Sequence, residues 1–233
     1  MSTSEHDTVI LVNVTLATDV DGAGSADASD LSESVERGGR STSVSADAVV
    51  DAAEVLLAES GFDGMSVRRI ADAVGVSRQV VYTHFGGMDG LLDELHRRLS
   101  QRLIDAATSV SEPTGTTAHL LAATAGYRSV ARRWPDAYQL VFERPVAEYS
   151  IGTDAERFGL ESFGHVVDAA EAWLRVTAEV VRPRRSDAID LARAVWSTAH
   201  GFVVLERVGF ADPSDTDRLC DRAIRAILAG WHA

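Results

Sequence analysis

Ile70-Ala71-Asp72-Ala73-Val74-Gly75-Val76-Ser77-Arg78-Gln79-Val80-Val81 is the stretch whose reading decides the fold. Two short helices that cross near right angles need a small residue at the crossing, and Ala71 supplies it. They also need a turn residue without a Cβ, and Gly75 supplies that. Ile70, Val74, Val76 and Val81 anchor the pair on its apolar side. Arg78, Gln79, Tyr82 and Thr83 then fall on the outer face of the second helix. Such a face can enter a DNA major groove with its N-terminal residues nearest the base edges. An arginine at 78 suits guanine O6 and N7, and a glutamine at 79 suits adenine N6 and N7. Ser66, Arg68, Tyr82 and His84 are placed for phosphates, which fix position without reading sequence. Taken alone, a glycine-centred turn fits a plain helical hairpin equally well.

Working outward, a helical period begins at Ser45. Val49, Ala52, Ala53, Leu56 and Leu57 share one face, and Gly61 stands where that helix stops. Ser66 is an N-cap for a helix whose buried stripe is Val67, Ile70, Ala71 and Val74. Ser77 caps the next helix, which ends near Phe85-Gly86-Gly87. A longer helix follows from about Met88, with Leu91, Leu92, Leu95, Leu99 and Leu103 at three- and four-residue spacing. Glu112-Pro113-Thr114-Gly115 ends it. Further helices are predicted over 116–133, 135–142, 153–181, 186–209 and 215–229. Pro135, Pro183 and Pro213 fall at or before helix starts, where the missing N–H costs little. No alternating strand pattern appears from Ser45 onward. The fold class is therefore all-α: a leader over 1–44, a three-helix DNA-binding domain over 45–92, and a helical domain over 93–233.

Residues 1–44 are rich in Ser, Gly, Asp and Ala and read as disordered. Within them, Thr8–Leu16 reads either as a lone strand or as translated upstream sequence outside the working protein. The chain of 233 residues carries a net charge of −13, the wrong sign for a DNA-binding protein taken whole. About half of that excess lies in the leader, which holds eight acids and two arginines. Every basic residue is Arg, whose planar fork suits phosphate and guanine. The single cysteine, Cys220, rules out an intrachain disulfide framework. With no signal-peptide pattern and no bilayer-length apolar run, a cytoplasmic protein without a membrane partner is expected. No phosphate-binding glycine loop, nucleophile elbow or Cys–Cys metal spacing is present, so neither an enzyme nor a cofactor is expected.

The segment from Gly61 to Leu95 resembles the N-terminal domain of the TetR family of regulators. The matching residues are Gly61-Phe62, Ser66-Val67-Arg68-Arg69-Ile70-Ala71, Gly75-Val76-Ser77, Val81-Tyr82-Thr83-His84-Phe85 and Leu91-Leu92. The resemblance implies a DNA-reading set of Ser66, Arg68, Ser77, Arg78, Gln79, Tyr82, Thr83 and His84. It implies a homodimer on a pseudo-palindromic double-stranded operator, most simply a repressor, released by a small-molecule effector. One departure stands out. The family usually has a lysine at the start of the fourth helix, where it meets a phosphate, whereas this chain has Met88 followed by Asp89. The segment 45–110 also holds ten acids against six arginines. A TetR-like protein that binds a ligand or partner with weak or lost DNA affinity is the competing expectation.

In the C-terminal half, Val195-Trp196-Ser197-Thr198-Ala199-His200-Gly201 looks like the Trp…His-Gly signature of one TetR subclass. The candidate pocket walls are Trp134, Tyr138, Phe142, Phe163, Trp173, Trp196 and His200, with Phe158 as a further aromatic. From sequence, His200 has three readings: a hydrogen-bonded core residue, a pocket wall or a metal ligand. Glu161, His165 and Asp168 share a helical face, which is more simply a solvated surface than a metal site. The last two helices offer Val203, Leu219, Ala223, Ile224 and Ile227 for a four-helix dimer interface.

Overall fold

The computed structural model describes residues 45–143, 149–177 and 183–231. The expectations for 1–44 and for the far end of the helix predicted over 153–181 lie outside that set. Within it every regular element is helical. The elements are α1 (Ala46–Ser60), α2 (Val67–Val74), α3 (Arg78–Phe85), α4 (Met88–Thr108), α5 (Thr117–Arg133), α6 (Pro135–Glu143), α7 (Thr153–Val176), α8 (Arg185–Arg207) and α9 (Pro213–Gly230). No described helix is long and apolar enough to cross a membrane.

The helix ends follow local chemistry. Ser45, Ser66 and Thr116 each accept a backbone N–H three residues on, from Ala48, Arg69 and His119. Asp212 accepts from Ser214 N at 2.9 Å, so α9 starts two residues earlier than the periodicity predicts, with Pro213 in its first turn. At the far end of α8, Phe210 N reaches Leu205 O and Gly209 N reaches Glu206 O. That paired pattern, with Gly209 left-handed at φ 71°, stops the helix at Arg207 instead of residue 209.

Three apolar cores stack along the molecule. The first joins Val49, Ala53 and Leu57 of α1 to Ile70 of α2, Val81 of α3 and Leu91 and Leu95 of α4. Leu140 of α6 completes it, so the reading head is seated on the C-terminal half. The second gathers Leu99, Leu103, Val130, Ala131, Tyr138 and Val203. The third lies among α5, α7, α8 and α9 around Trp173, Leu191, Ala192 and Ile224. The long helix α4 runs unbroken past residue 92 and contributes to the first two cores.

This packing corrects part of the expected dimer face. Val203 is 1% exposed and Ile224 is 0% exposed, both sealed inside the subunit. Each sits on the inward side of its amphipathic helix, against α4–α6 for Val203 and against α5 and α8 for Ile224. Neither can touch a second chain. Leu219 is exposed, and Ala223 and Ile227 are half-buried on the same side of α9. The neighbouring α8 adds exposed Leu205, and exposed Val208 follows as its C-cap.

Candidate functional site

The turn between α2 and α3 is built by the backbone. Val76 N donates to Ala71 O at 3.0 Å and Gly75 N to Asp72 O at 3.3 Å. Gly75 is left-handed, with φ 71° and ψ 31°. A Cβ there would meet no atom within 4 Å, so glycine is required by dihedral angle and not by crowding. Ile70 and Ala71, both fully buried, lock α2 onto α1 and α4.

On this support α3 buries only Val81 and turns its other side outward. Arg68, Ser77, Arg78, Gln79, Tyr82, Thr83 and His84 are all exposed, and Ser66 is half-buried. The structure thus leaves the sequence-predicted reading residues of α2 and α3 open to solvent, Ser66 in part. Their chemistry is not uniform. The Ser66 hydroxyl is committed as acceptor to Arg69 N, leaving its proton for an external partner. Ser77 occupies the N-cap of α3, but its hydroxyl accepts no capping bond, contrary to expectation. The Thr83 hydroxyl donates to Gln79 O at 2.8 Å, so it faces outward as an acceptor. Arg68 pairs loosely with Asp72 at 3.6 Å, a solvent-exposed contact worth little.

Met88 does not stand in for the family lysine. It is half-buried and packs against the first core, so no cation occupies that place. The other arginines of the reading half are already engaged. Arg97 makes two bonds to Glu94, Arg98 reaches Asp47 and Asp51, and Arg102 makes two bonds to Glu54. Arg69 bonds Gly64 O and Ser60 Oγ, fastening the end of α1 to the start of α2. Periodicity in the apolar residues carried no sign of these contacts. A signal did exist, because Asp47, Asp51 and Glu54 share a face of α1 while Arg98 and Arg102 share a face of α4.

The C-terminal half holds a cluster of rings. Tyr138, Phe142 and Trp196 surround His200, with ring centroids 5.4–5.6 Å from the imidazole. Tyr127 lies 5.9 Å from Tyr138, and Phe163 lies 5.9 Å from Trp196. The Tyr127 and Tyr138 hydroxyls meet at 2.7 Å, and both approach His200 Nδ1. Burial pushes both phenols above their ordinary range, so each keeps its proton. Burial also pushes the imidazole down. A neutral His200 donates from one ring nitrogen and accepts at the other, and its Nδ1 shares hydrogen bonds with the two phenol oxygens. Of the three readings of His200, the hydrogen-bonded one matches this geometry. No metal-binding cluster of His, Cys, Asp or Glu occurs among the described residues. Trp134 and Trp173 sit apart. Trp134 stacks under Arg102 at the α5–α6 corner, and Trp173 is 1% exposed within the third core, its indole N–H donating to Thr117 Oγ1. Phe158 packs beneath Arg97 and Arg157.

The His200 geometry sets a pH expectation. A folded-state value below the unfolded one means the unfolded chain takes up the proton first. The stability held at neutral pH is then lost as pH falls below about 6.5, the ordinary value. Thermal melts at successive pH values are expected to show this fall, and His200→Phe is expected to flatten it. A wild-type midpoint unchanged between pH 7 and 5.5 would contradict a neutral, half-buried imidazole.

Residues 49–95 match the profile of bacterial regulatory proteins of the tetR family, and residues 120–227 match that of the tetracyclin repressor-like C-terminal domain. This chain belongs to the TetR family. It is a transcriptional regulator with a DNA-binding helix-turn-helix, and not an enzyme. An uncharacterised helix-turn-helix-type regulator of Mycobacterium tuberculosis, Rv0681, is 23% identical over 197 residues, 82% of this chain and 83% of that one. Among solved structures, a protein of unknown function from Rhodococcus sp. RHA1 superposes with a TM-score of 0.67 at 23% identity. The match covers 82% of this chain and 98% of that one. A TetR variant of Acinetobacter baumannii AYE, solved in complex with minocycline, superposes with a TM-score of 0.56 at 21% identity. It covers 81% of this chain and 96% of that one. At these identities the structural likenesses speak for the TetR fold.

Proposed function

We propose that this TetR-family regulator binds a pseudo-palindromic operator as a homodimer, represses transcription there, and is released by a small molecule held in the C-terminal half. The observation that carries the reading is the outward face of α3. It presents Arg78, Gln79, Tyr82 and Thr83 on a turn fixed by Gly75. Arg78 and Gln79 read bases at the N-terminal end of α3. Ser66, Arg68, Ser77, Tyr82, Thr83 and His84 hold the backbone. The outer side of α9 at Leu219, Ala223 and Ile227, with Leu205 of α8 and its C-cap Val208, supports pairing through a four-helix interface. The Acinetobacter protein's minocycline complex and the rings around His200 support a flat, largely apolar effector held beside His200.

Fluorescence anisotropy with the promoter DNA flanking the protein's own gene tests the reading. Of the reading-half arginines only Arg68 is assigned to the backbone, giving two phosphate contacts per dimer. A slope of log affinity against log salt on the order of −2 is therefore expected. Arg78→Ala is expected to weaken specific binding by about 1–3 kcal/mol and to relax base preference at one position. An equal loss on unrelated DNA would make Arg78 a phosphate contact. A second reading, a TetR-fold protein with little DNA affinity, draws on Met88 being packed into the core where the family places a lysine. Binding that is absent at low salt, or indifferent to sequence, favours it.

A further inference from the structure

Arg102 stands where three elements meet. The edge of its guanidinium donates from Nη1 and Nη2 to Glu54 Oε1 and Oε2 of α1, at 2.6 and 2.9 Å. The flat face of the same group lies 4.2 Å from the ring centroid of Trp134. A guanidinium does both at once because its donors lie in plane and its π face is free, whereas an ammonium has neither feature. Glu54 and Arg102 are 18% and 23% exposed, so water does not dilute the contact as it would at an open surface.

Trp134 marks a corner. It caps the end of α5, Pro135 begins α6, and Trp134 O accepts from Tyr138 N at 2.9 Å. Tyr138 is the residue whose hydroxyl meets His200 in the ring cluster. Glu54 lies on α1, which shares one core with α2 and α3. A continuous run of contacts thus joins the ring cluster to the reading head through one side chain.

We infer that Arg102 is the positioning residue through which the α5–α6 corner, by way of Trp134, sets the pose of α1 and hence of the recognition helix α3. The inference rests on the DNA-reading role proposed above and names the contact that regulates it. Movement of Tyr138 or the corner displaces Trp134, and the guanidinium then holds Glu54 at a different place or releases it. A chain of contacts is an argument only if breaking one member moves the far end.

The test measures the far end directly. Spin labels are placed at Ala73→Cys on α2, which carries α3 across the Gly75 turn, and at Glu161→Cys on α7, in chains diluted with excess unlabelled protein, and operator binding is measured on unlabelled chains that keep both native residues. Cys220 is buried and leaves the labelling selective. The starting protein is expected to give one narrow interspin distance. Trp134→Leu keeps the ion pair but removes the stack. It is expected to broaden or shift the distance by several ångströms and to weaken operator binding by about tenfold. The paired exchange Glu54→Arg with Arg102→Glu restores an ion pair at the same largely shielded site without a cation over the ring, and it is expected to stay broad. A narrow, unshifted distance in Trp134→Leu would overturn the inference, and so would full recovery in the paired exchange. Absent operator binding by the starting protein would instead strike the DNA-reading proposal, with the distances still deciding the role of Arg102.

Discussion

Glu206→Gln is expected to destabilise the protein by about 3–5 kcal/mol, the usual cost of removing one partner from a buried ion pair. Glu206 lies near the end of α8 and is 6% exposed. It receives Arg128 Nη2 of α5 at 2.6 Å, Arg132 Nε at 2.7 Å and the Thr216 hydroxyl of α9. Arg128 is 2% exposed, so without the carboxylate its charge is stranded in the interior. Asp217 compensates only in part, since it meets both arginines at 2.8 Å from a side chain that is 57% exposed. For a chain of this size the loss corresponds to a melting point lower by roughly 10 °C. A differential scanning melt that moves by less than 2–3 °C, about 1 kcal/mol, would show that the network is not carrying the α5–α8–α9 junction.

The same cluster sets acid stability. Burial alone would push the Glu206 carboxyl up. Hydrogen bonds from Arg132, Thr216 and Arg128 outweigh that and hold it at about 2. A carboxylate with a folded value below its unfolded one contributes stability that is present above the ordinary value. That contribution drains away as pH falls from about 4.5 towards 2. This window lies below the His200 window, so a pH series separates the two, and Glu206→Gln is expected to remove only the lower one.

The second large effect concerns Gly90 in the first turn of α4. A Cβ at this position would lie 1.9 Å from the carbonyl oxygen of Phe85, the last residue of α3. The obstacle is backbone, so no side chain can swing aside. Gly90→Ala therefore has to push the end of the recognition helix away from α4. Overpacking of this kind costs about 1–3 kcal/mol. The functional cost is expected to exceed the loss of fold, because α3 is the element displaced: operator affinity should drop at least tenfold in a protein that still melts cooperatively. Wild-type affinity in Gly90→Ala would mean that α3 does not depend on its seat against α4. Gly75 offers a contrast, since a Cβ there has room and the penalty comes from its left-handed φ alone.

Much of this was written in the chain itself. Gly75 between two apolar repeats, Ser66 and Ser45 at N-caps, and the leucine stripe from Leu91 to Leu103 each act through bonds within a few residues. Local propensity and period are enough to locate such features, and α1 to α6 fall close to where those signals put them. The outward face of α3 follows from the same period. What each helix buries against was not legible. Val203 and Ile224 fit an apolar stripe as well as Leu219 does, and only packing shows them facing inward. Trp134, Trp173 and Trp196 look alike in sequence, yet one stacks on Arg102, one fills a core and one borders His200.

The sequence alone thus determined the all-helical class, the reading head and the family. Each rests on short-range geometry: a left-handed glycine, capping hydroxyls and a 3.6-residue period. Tertiary structure alone decided that Met88 packs inward, that Arg128 and Arg132 converge on Glu206, and that Arg102 bridges α1 to the α5–α6 corner. The arginine pairings join residues 32 to 78 positions apart. The energy of bringing two such groups together depends on the path of the whole chain between them, which no local pattern records.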